Sequence, residues 1–213
     1  MRSSDLVIRL IREPAGLLDE APGPLLPRLA AVTVVGAMAF GAAVGAQHSA
    51  VQAVSSAVKL PLVMLVPPIV AMPALAALAH ALGLSLPLPR ATTAALVSIA
   101  RIAVFAAAVG PALWFLDTLA DSYRMTVLSS VAALGVCGLI GLGPLLAAPI
   151  GDGAMRRFVV AAGTVAIFGA VSGQTAWLLR PLVLRPELSF VMFEFPDSDV
   201  FTEIGRRIVG SAS

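Results

Sequence analysis

Five hydrophobic blocks dominate this chain and constrain its fold more than any other feature. They run over residues 28–47, 60–83, 91–116, 125–150 and 158–179. A hydrocarbon core about 30 Å thick is crossed by a helix of about 20 apolar residues, each adding about 1.5 Å. The composition agrees, with 59% hydrophobic residues and a mean hydropathy of +0.96. We therefore predict an all-α, polytopic helical membrane protein with about five transmembrane helices.

Three regions follow from the distribution of apolar, proline and glycine residues. Region 28–179 holds the predicted five-helix bundle, and region 180–213 is a tail that we expect on the membrane surface. Region 1–27 combines a short amphipathic helix with an irregular proline- and glycine-rich linker at 15–27. The apolar face of that helix is formed by Leu6, Val7, Leu10 and Ile11. Such a pattern is typical of a helix in the headgroup plane, and packing on the bundle's own loops is the alternative.

Block two carries four prolines, at Pro61, Pro67, Pro68 and Pro73. A double proline removes backbone donors and predicts a kinked helix, which can line a cavity, act as a hinge or serve packing alone. The preceding segment 48–59 is moderately polar, and we expect it to continue as an amphipathic helix along the surface. Whether block two spans the membrane or re-enters it stays open at this point.

Two G-x-x-x-G motifs lie in the blocks, one at Gly41 and Gly45 and one at Gly169 and Gly173. Small residues at this spacing let two helix backbones approach closely in a membrane. We expect tight packing within the chain, with dimerisation as the alternative use.

Arg101 is the most costly residue to place in a membrane, because it lies about ten residues into block three. An arginine near the bilayer centre costs about 2.5–3.5 kcal/mol on insertion scales and must face the bundle or water. We expect it to pair with Asp117, Asp121 or a backbone carbonyl. The alternative is a side chain that snorkels to the headgroups.

Other polar and aromatic residues gather at the ends of the blocks, in the short loop after block three and at the exit of block five. Gln174 needs an interhelical partner, whereas Trp177 and Arg180 suit the aromatic belt and the headgroups. The candidate intramembrane and interaction residues are therefore Arg101, Asp117, Asp121, Tyr123, Arg124, Gln174, Trp177 and Arg180.

The sequence carries no recognisable catalytic, metal-binding or cofactor-binding motif. Cys137 is the single cysteine, and the two histidines are not spaced as metal ligands. No G-x-S-x-G, Walker A or G-x-G-x-x-G motif is present. We predict no catalytic residues, no metal and no cofactor.

A net charge of +2 gives no reason to expect nucleic acid as a partner. The first 28 residues lack an apolar signal-peptide core, so we expect the first spanning helix to act as its own insertion signal.

Three stretches carry a family resemblance. They are 54–73, Tyr123 before the glycine-rich fourth block, and Gly173–Pro181, which reads GQTAWLLRP. From Gln174 onward this last stretch is similar to the motif G-x-Q-x-x-W-x-L-R-P of an uncharacterised family of bacterial five-span membrane proteins with a Yip-like architecture. Leu182 stands where that family has phenylalanine. The resemblance implies a fold and a membrane location but no activity.

These observations favour a non-enzymatic integral membrane subunit that scaffolds or anchors a membrane protein assembly. The alternative is a small transporter or channel for an anionic or polar solute, using Arg101 and the kinked second helix; a membrane-embedded enzyme comes third. We expect the lipid bilayer and protein subunits as partners, and the bacterial cytoplasmic (inner) membrane as the location. Lysine and arginine are divided almost evenly between the two sides, so we place the N-terminus in the cytoplasm only because the first helix often sets orientation.

Overall fold

The structure, a computed structural model, describes residues 3–46, 49–120, 123–148 and 153–179. Their regular elements are helices, which confirms the all-α prediction. In chain order they are α1 (Ser3–Arg12), a 3-10 helix (Pro14–Asp19), α2 (Pro22–Gly45), α3 (Ala50–Ala81), α4 (Leu88–Ala120), α5 (Tyr123–Gly141), α6 (Gly143–Ala147) and α7 (Ala154–Leu178). The predicted surface tail 180–213 lies outside the described residues.

Within the described part of the chain, five helical stretches are long and apolar enough to cross a bilayer, which confirms the prediction of about five transmembrane helices. They are α2, α3, α4, α7 and the stretch Met125–Ala147, which combines α5 and α6. Block two forms the single uninterrupted helix α3 of 32 residues despite its prolines. A helix of that length extends about 48 Å, more than the hydrocarbon core, so α3 is long enough to cross it.

Two of the predicted boundaries were wrong. Residues 15–27 are not an irregular linker, because the 3-10 helix occupies their first part and α2 already begins at Pro22, where a proline suits the first helical turn. The described part of segment 48–59, from Ser49 onward, is not a surface helix either. α3 begins at Ala50, capped by the Ser49 hydroxyl, which accepts a hydrogen bond from the Gln52 amide at 3.1 Å.

Glycines bring α2, α3 and α4 into close backbone contact. A Cβ at Gly36 would lie 2.8 Å from the Ala103 carbonyl oxygen of α4. A Cβ at Gly45 would lie 2.6 Å from the Gln52 carbonyl oxygen of α3. Gly41 approaches α3 equally closely, so the first G-x-x-x-G motif serves packing within the chain, as predicted. These three helices form the centre of the bundle.

The remaining helices pack around this centre. α5 lies against α4 and α7 lies against α3, while α6 touches both α4 and α7. In α1, Leu6 and Leu10 are buried in the same core as residues of α4, whereas Ile8 and Ile11 stay exposed. The face of α1 that carries Leu6 and Leu10 therefore packs on the protein itself, which is the alternative that the sequence left open.

Candidate functional site

Arg101 lies close to the middle of α4 and is only partly buried. The central carbon of its guanidinium group lies 5.5 Å from the centroid of the Phe105 ring, one turn further along the helix. Its Nε atom is buried and has no hydrogen-bond partner. A cation at this depth is a functional candidate on physical grounds, because the bilayer offers it neither water nor counter-charge.

A break in the fourth span lies beside Arg101. The helix is interrupted at Leu142, between Gly141 and Gly143, and Pro144 lacks the amide hydrogen that would continue the hydrogen-bond ladder. The amide of Leu145 instead donates to the Ser98 hydroxyl of α4 at 3.0 Å. A Cβ at Gly143 would lie 3.6 Å from an Arg101 Nη atom, so the guanidinium group reaches the break.

The sequence suggested that Arg101 pairs with Asp117, but the two residues are too far apart to do so. Asp117 lies on the same helix more than four turns further along, about 24 Å away, beyond the reach of both side chains. Asp121 lies outside the described residues, and within them no ion pair joins Arg101 to a carboxylate. Arg90, at the start of α4, shows the contrast. It bonds Asp19 at 3.0 Å and the Ala148 carbonyl oxygen at 3.1 Å.

Asp117 is buried near the C-terminal end of α4, with a relative exposure of 5%. Its Oδ1 atom accepts a hydrogen bond from the Ser129 hydroxyl of α5 at 2.9 Å, while its Oδ2 atom is buried without a partner. Tyr123 and Arg124 are the first two residues of α5, and only their backbone is described. Asp117 therefore links α4 to α5 beside the predicted polar loop.

Gln174 and Trp177 occupy the last turns of α7, where both are half-buried. Because successive spans alternate in direction, this end of α7 lies on the same side of the bundle as the end of α4. Arg180 lies outside the described residues. The sequence placed Gln174 and Trp177 correctly in the last turns of the fifth span, because α7 ends at Leu178.

Sequence reasoning missed a buried polar stripe on the first third of α3. Its members are Gln52, Ser55, Ser56 and Lys59, and none exceeds 4% exposure. Gln52 Nε2 donates to the Ser56 hydroxyl at 3.2 Å, and the Ser55 hydroxyl is buried without a partner. Lys59 is completely buried.

The depth of Lys59 follows from the contact between α2 and α3. Gly45 lies against Gln52 and Gly41 lies against Ser56, so the two helices run antiparallel in this register. Lys59 is then about one turn deeper than Ser56 and about 14 Å from the start of α3. The spacing of the stripe at i, i+3, i+4 and i+7 marks one helix face and was the signal available in the sequence.

No family model, curated protein or solved structure matches this chain. The resemblance to bacterial five-span proteins that begins at Gln174 therefore stays a prediction. What the chain does has to be inferred from its own geometry, above all from the open faces of its helices and from its intramembrane charges.

Proposed function

We propose that this chain is a non-enzymatic membrane subunit that scaffolds or anchors an assembly through side-by-side association of its transmembrane helices. The observation that carries the proposal is the second G-x-x-x-G motif, on α7. Gly169 and Gly173 are exposed, and no described atom lies within 4 Å of a Cβ placed at either position.

The two G-x-x-x-G motifs of the chain have different surroundings. The backbone of α3 occupies the space beside Gly41 and Gly45, whereas Gly169 and Gly173 face outward from the described bundle. Glycine inside a helix is less favourable than alanine by about 0.5–1 kcal/mol. At the first motif, close packing of α2 on α3 offsets this cost of glycine. At the second motif, we propose that a partner helix offsets it.

α7 is also the least covered of the five spans. In the most apolar 18-residue segment of α7, 17% of the residues are buried among the described residues, compared with 50% for the corresponding segment of α4. Gly135 and Gly138 on α5 are likewise open, with no described atom within 4 Å of an added Cβ. The bundle thus has a packed centre and outer helices whose small residues leave room for other helices.

A bacterial cytoplasmic membrane is part of the proposal and rests on the family resemblance alone. The multi-pass membrane location itself rests on the five apolar helices. A scaffolding role requires only that the outer faces bind partner subunits, and it uses no catalytic group.

The test compares the complex formed by the wild type with that of the double variant Gly169→Leu, Gly173→Leu, extracted in native lipid particles and sized by native mass spectrometry. We expect the wild type to run in a complex larger than one chain and the variant to run as a single chain. The matched control is Ala31→Leu, Ala39→Leu, which adds the same bulk to exposed positions of α2. A wild type that runs as one chain, or a double variant that keeps the complex, would contradict the proposal.

A further inference from the structure

We infer that Arg101 is the anchor of an intramembrane binding site for a phosphate group, carried either by an anionic lipid or by a free anion. The site is independent of the α7 face that carries the proposed function. It lies on the side of α4 where the cover provided by α6 ends.

Among the described residues, the cover over this side of α4 decreases along the helix from Ser98 past Arg101. One turn earlier Ser98 is completely buried and bonds the Leu145 amide of α6. Two and three turns later on the same side, Ala108 and Ala112 are exposed. Arg101 therefore lies at the covered end of a strip of apolar side chains, Phe105, Ala108 and Ala112, which the described residues leave increasingly exposed. A ligand with a charged head and an apolar body fits this arrangement, with the head at Arg101 and the body along the strip.

The guanidinium group is held in place but lacks a polar partner among the described residues. Phe105 fixes it from one side by a cation–π contact. Nε is buried without a hydrogen-bond partner, and the described residues offer no carboxylate to it. A planar guanidinium presents its donors as a rigid fork that matches the oxygens of a phosphate group bidentately.

Gly143 is exposed beside the guanidinium group. A Cβ there would be in ordinary van der Waals contact with an Arg101 Nη atom, at 3.6 Å, so a larger side chain at this position would crowd the approach to the guanidinium group. The packing of α2 on α4 indicates the depth. Gly36 faces Ala103 and Gly110 faces Ala43, so α2 and α4 run parallel. Arg101 then lies about 9 Å deeper than the exposed Arg28. A lipid phosphate from the side of Arg28 would have to move inward by this distance, and its apolar body would then extend further along α4 over the strip.

The test measures the concentration-dependent thermal stabilisation of the purified protein in detergent by three probes: phosphatidylglycerol, diacylglycerol with the same acyl chains, and inorganic phosphate. We expect phosphatidylglycerol to stabilise the wild type and diacylglycerol to have no effect. Arg101→Gln should weaken the binding of phosphatidylglycerol by about tenfold or more, the loss expected for a charge-assisted contact. Arg101→Lys should fall between the two, because it keeps the charge without the fork. The control Arg28→Gln should bind like the wild type.

The inorganic phosphate arm distinguishes the two sources of the ligand. Stabilisation by phosphate alone that is lost in Arg101→Gln identifies a free anion, whereas stabilisation by phosphatidylglycerol alone identifies a lipid. Equal binding of both probes by Arg101→Gln and the wild type would overturn the inference. If Arg101→Gln does not fold, Gly143→Val keeps the arginine and fills the space beside it. Unchanged affinities in that variant would overturn the inference equally.

Discussion

Gly41 of α2 lies directly against the backbone of Ser56 on α3, so closely that a Cβ on the glycine would be 2.5 Å from the serine carbonyl oxygen. This contact joins the first two spans and sets the register that buries the polar stripe of α3. It depends on the absence of a single side chain.

Replacing Gly41 by leucine should destabilise the bundle. The new side chain would collide with backbone, which cannot rotate away, so the two helices must separate. Overpacking of this kind costs about 1–3 kcal/mol. We expect a lower melting temperature in detergent, measured by fluorescence. Ala39→Leu serves as the control, since it adds a side chain of the same size at an exposed position of the same helix, and it should melt like the wild type. Equal melting of Gly41→Leu and the wild type would show that α2 and α3 are not in this contact.

The bond between Ser129 and Asp117 gives a second prediction. Ser129→Ala removes the described donor to a buried carboxylate that already has one oxygen without a partner. Leaving a buried polar group unsatisfied costs about 1–3 kcal/mol. The stability of Ser129→Ala should fall by that order in chemical denaturation. Combining it with Asp117→Asn in a double-mutant cycle should give less than the sum of the two losses. Additive losses would mean that the two side chains do not interact.

Hydrophobic length predicted the number of spans because the bilayer imposes one requirement on all of them. Every spanning helix must carry about 20 apolar residues, whatever its neighbours are. Helix ends are less constrained. Pro22 starts α2 well before the apolar block begins, and the break at Leu142 divides the fourth span where the sequence showed only a run of glycines.

Charged and polar positions were harder to predict, since their meaning depends on which helix covers them. Arg101 was identified because it stands alone in an apolar block. Lys59 lies at the end of a polar segment. The packing of α3 against Gly41 and Gly45 of α2 shows that this segment lies inside the bundle. The pairing of Arg101 with Asp117 failed for a simpler reason, because both residues lie on one rigid helix.

Five spans predict that the two termini lie on opposite sides of the membrane. Reporter fusions at Ser4 and at Ser213 should therefore respond oppositely, with one active only in the cytoplasm and the other only outside it. A fusion after Gly83, in the turn between α3 and α4, should report the same side as Ser4, because two spans separate them. Labelling of Ser4 and Ser213 from one side would show that one of the five helices does not cross.

Lys59 is buried in the bundle, whereas the sequence suggested that it lies on a surface helix, and substitutions of Lys59 distinguish the two arrangements. Lys59→Ala should leave a cavity in the core and remove the contacts of the long side chain, at a loss of about 2–5 kcal/mol, the range for large-to-small core substitutions. Lys59→Met retains most of the volume of the side chain and should lose much less, because the core stays filled. The Lys59→Met variant should therefore melt at a higher temperature than the Lys59→Ala variant.

Val58→Ala is the control. Val58 directly precedes Lys59 in the chain and is 48% exposed, so this substitution should change stability little. A surface lysine would give melting curves for Lys59→Ala and Lys59→Met that coincide with the wild type, and that result would contradict the register between α2 and α3.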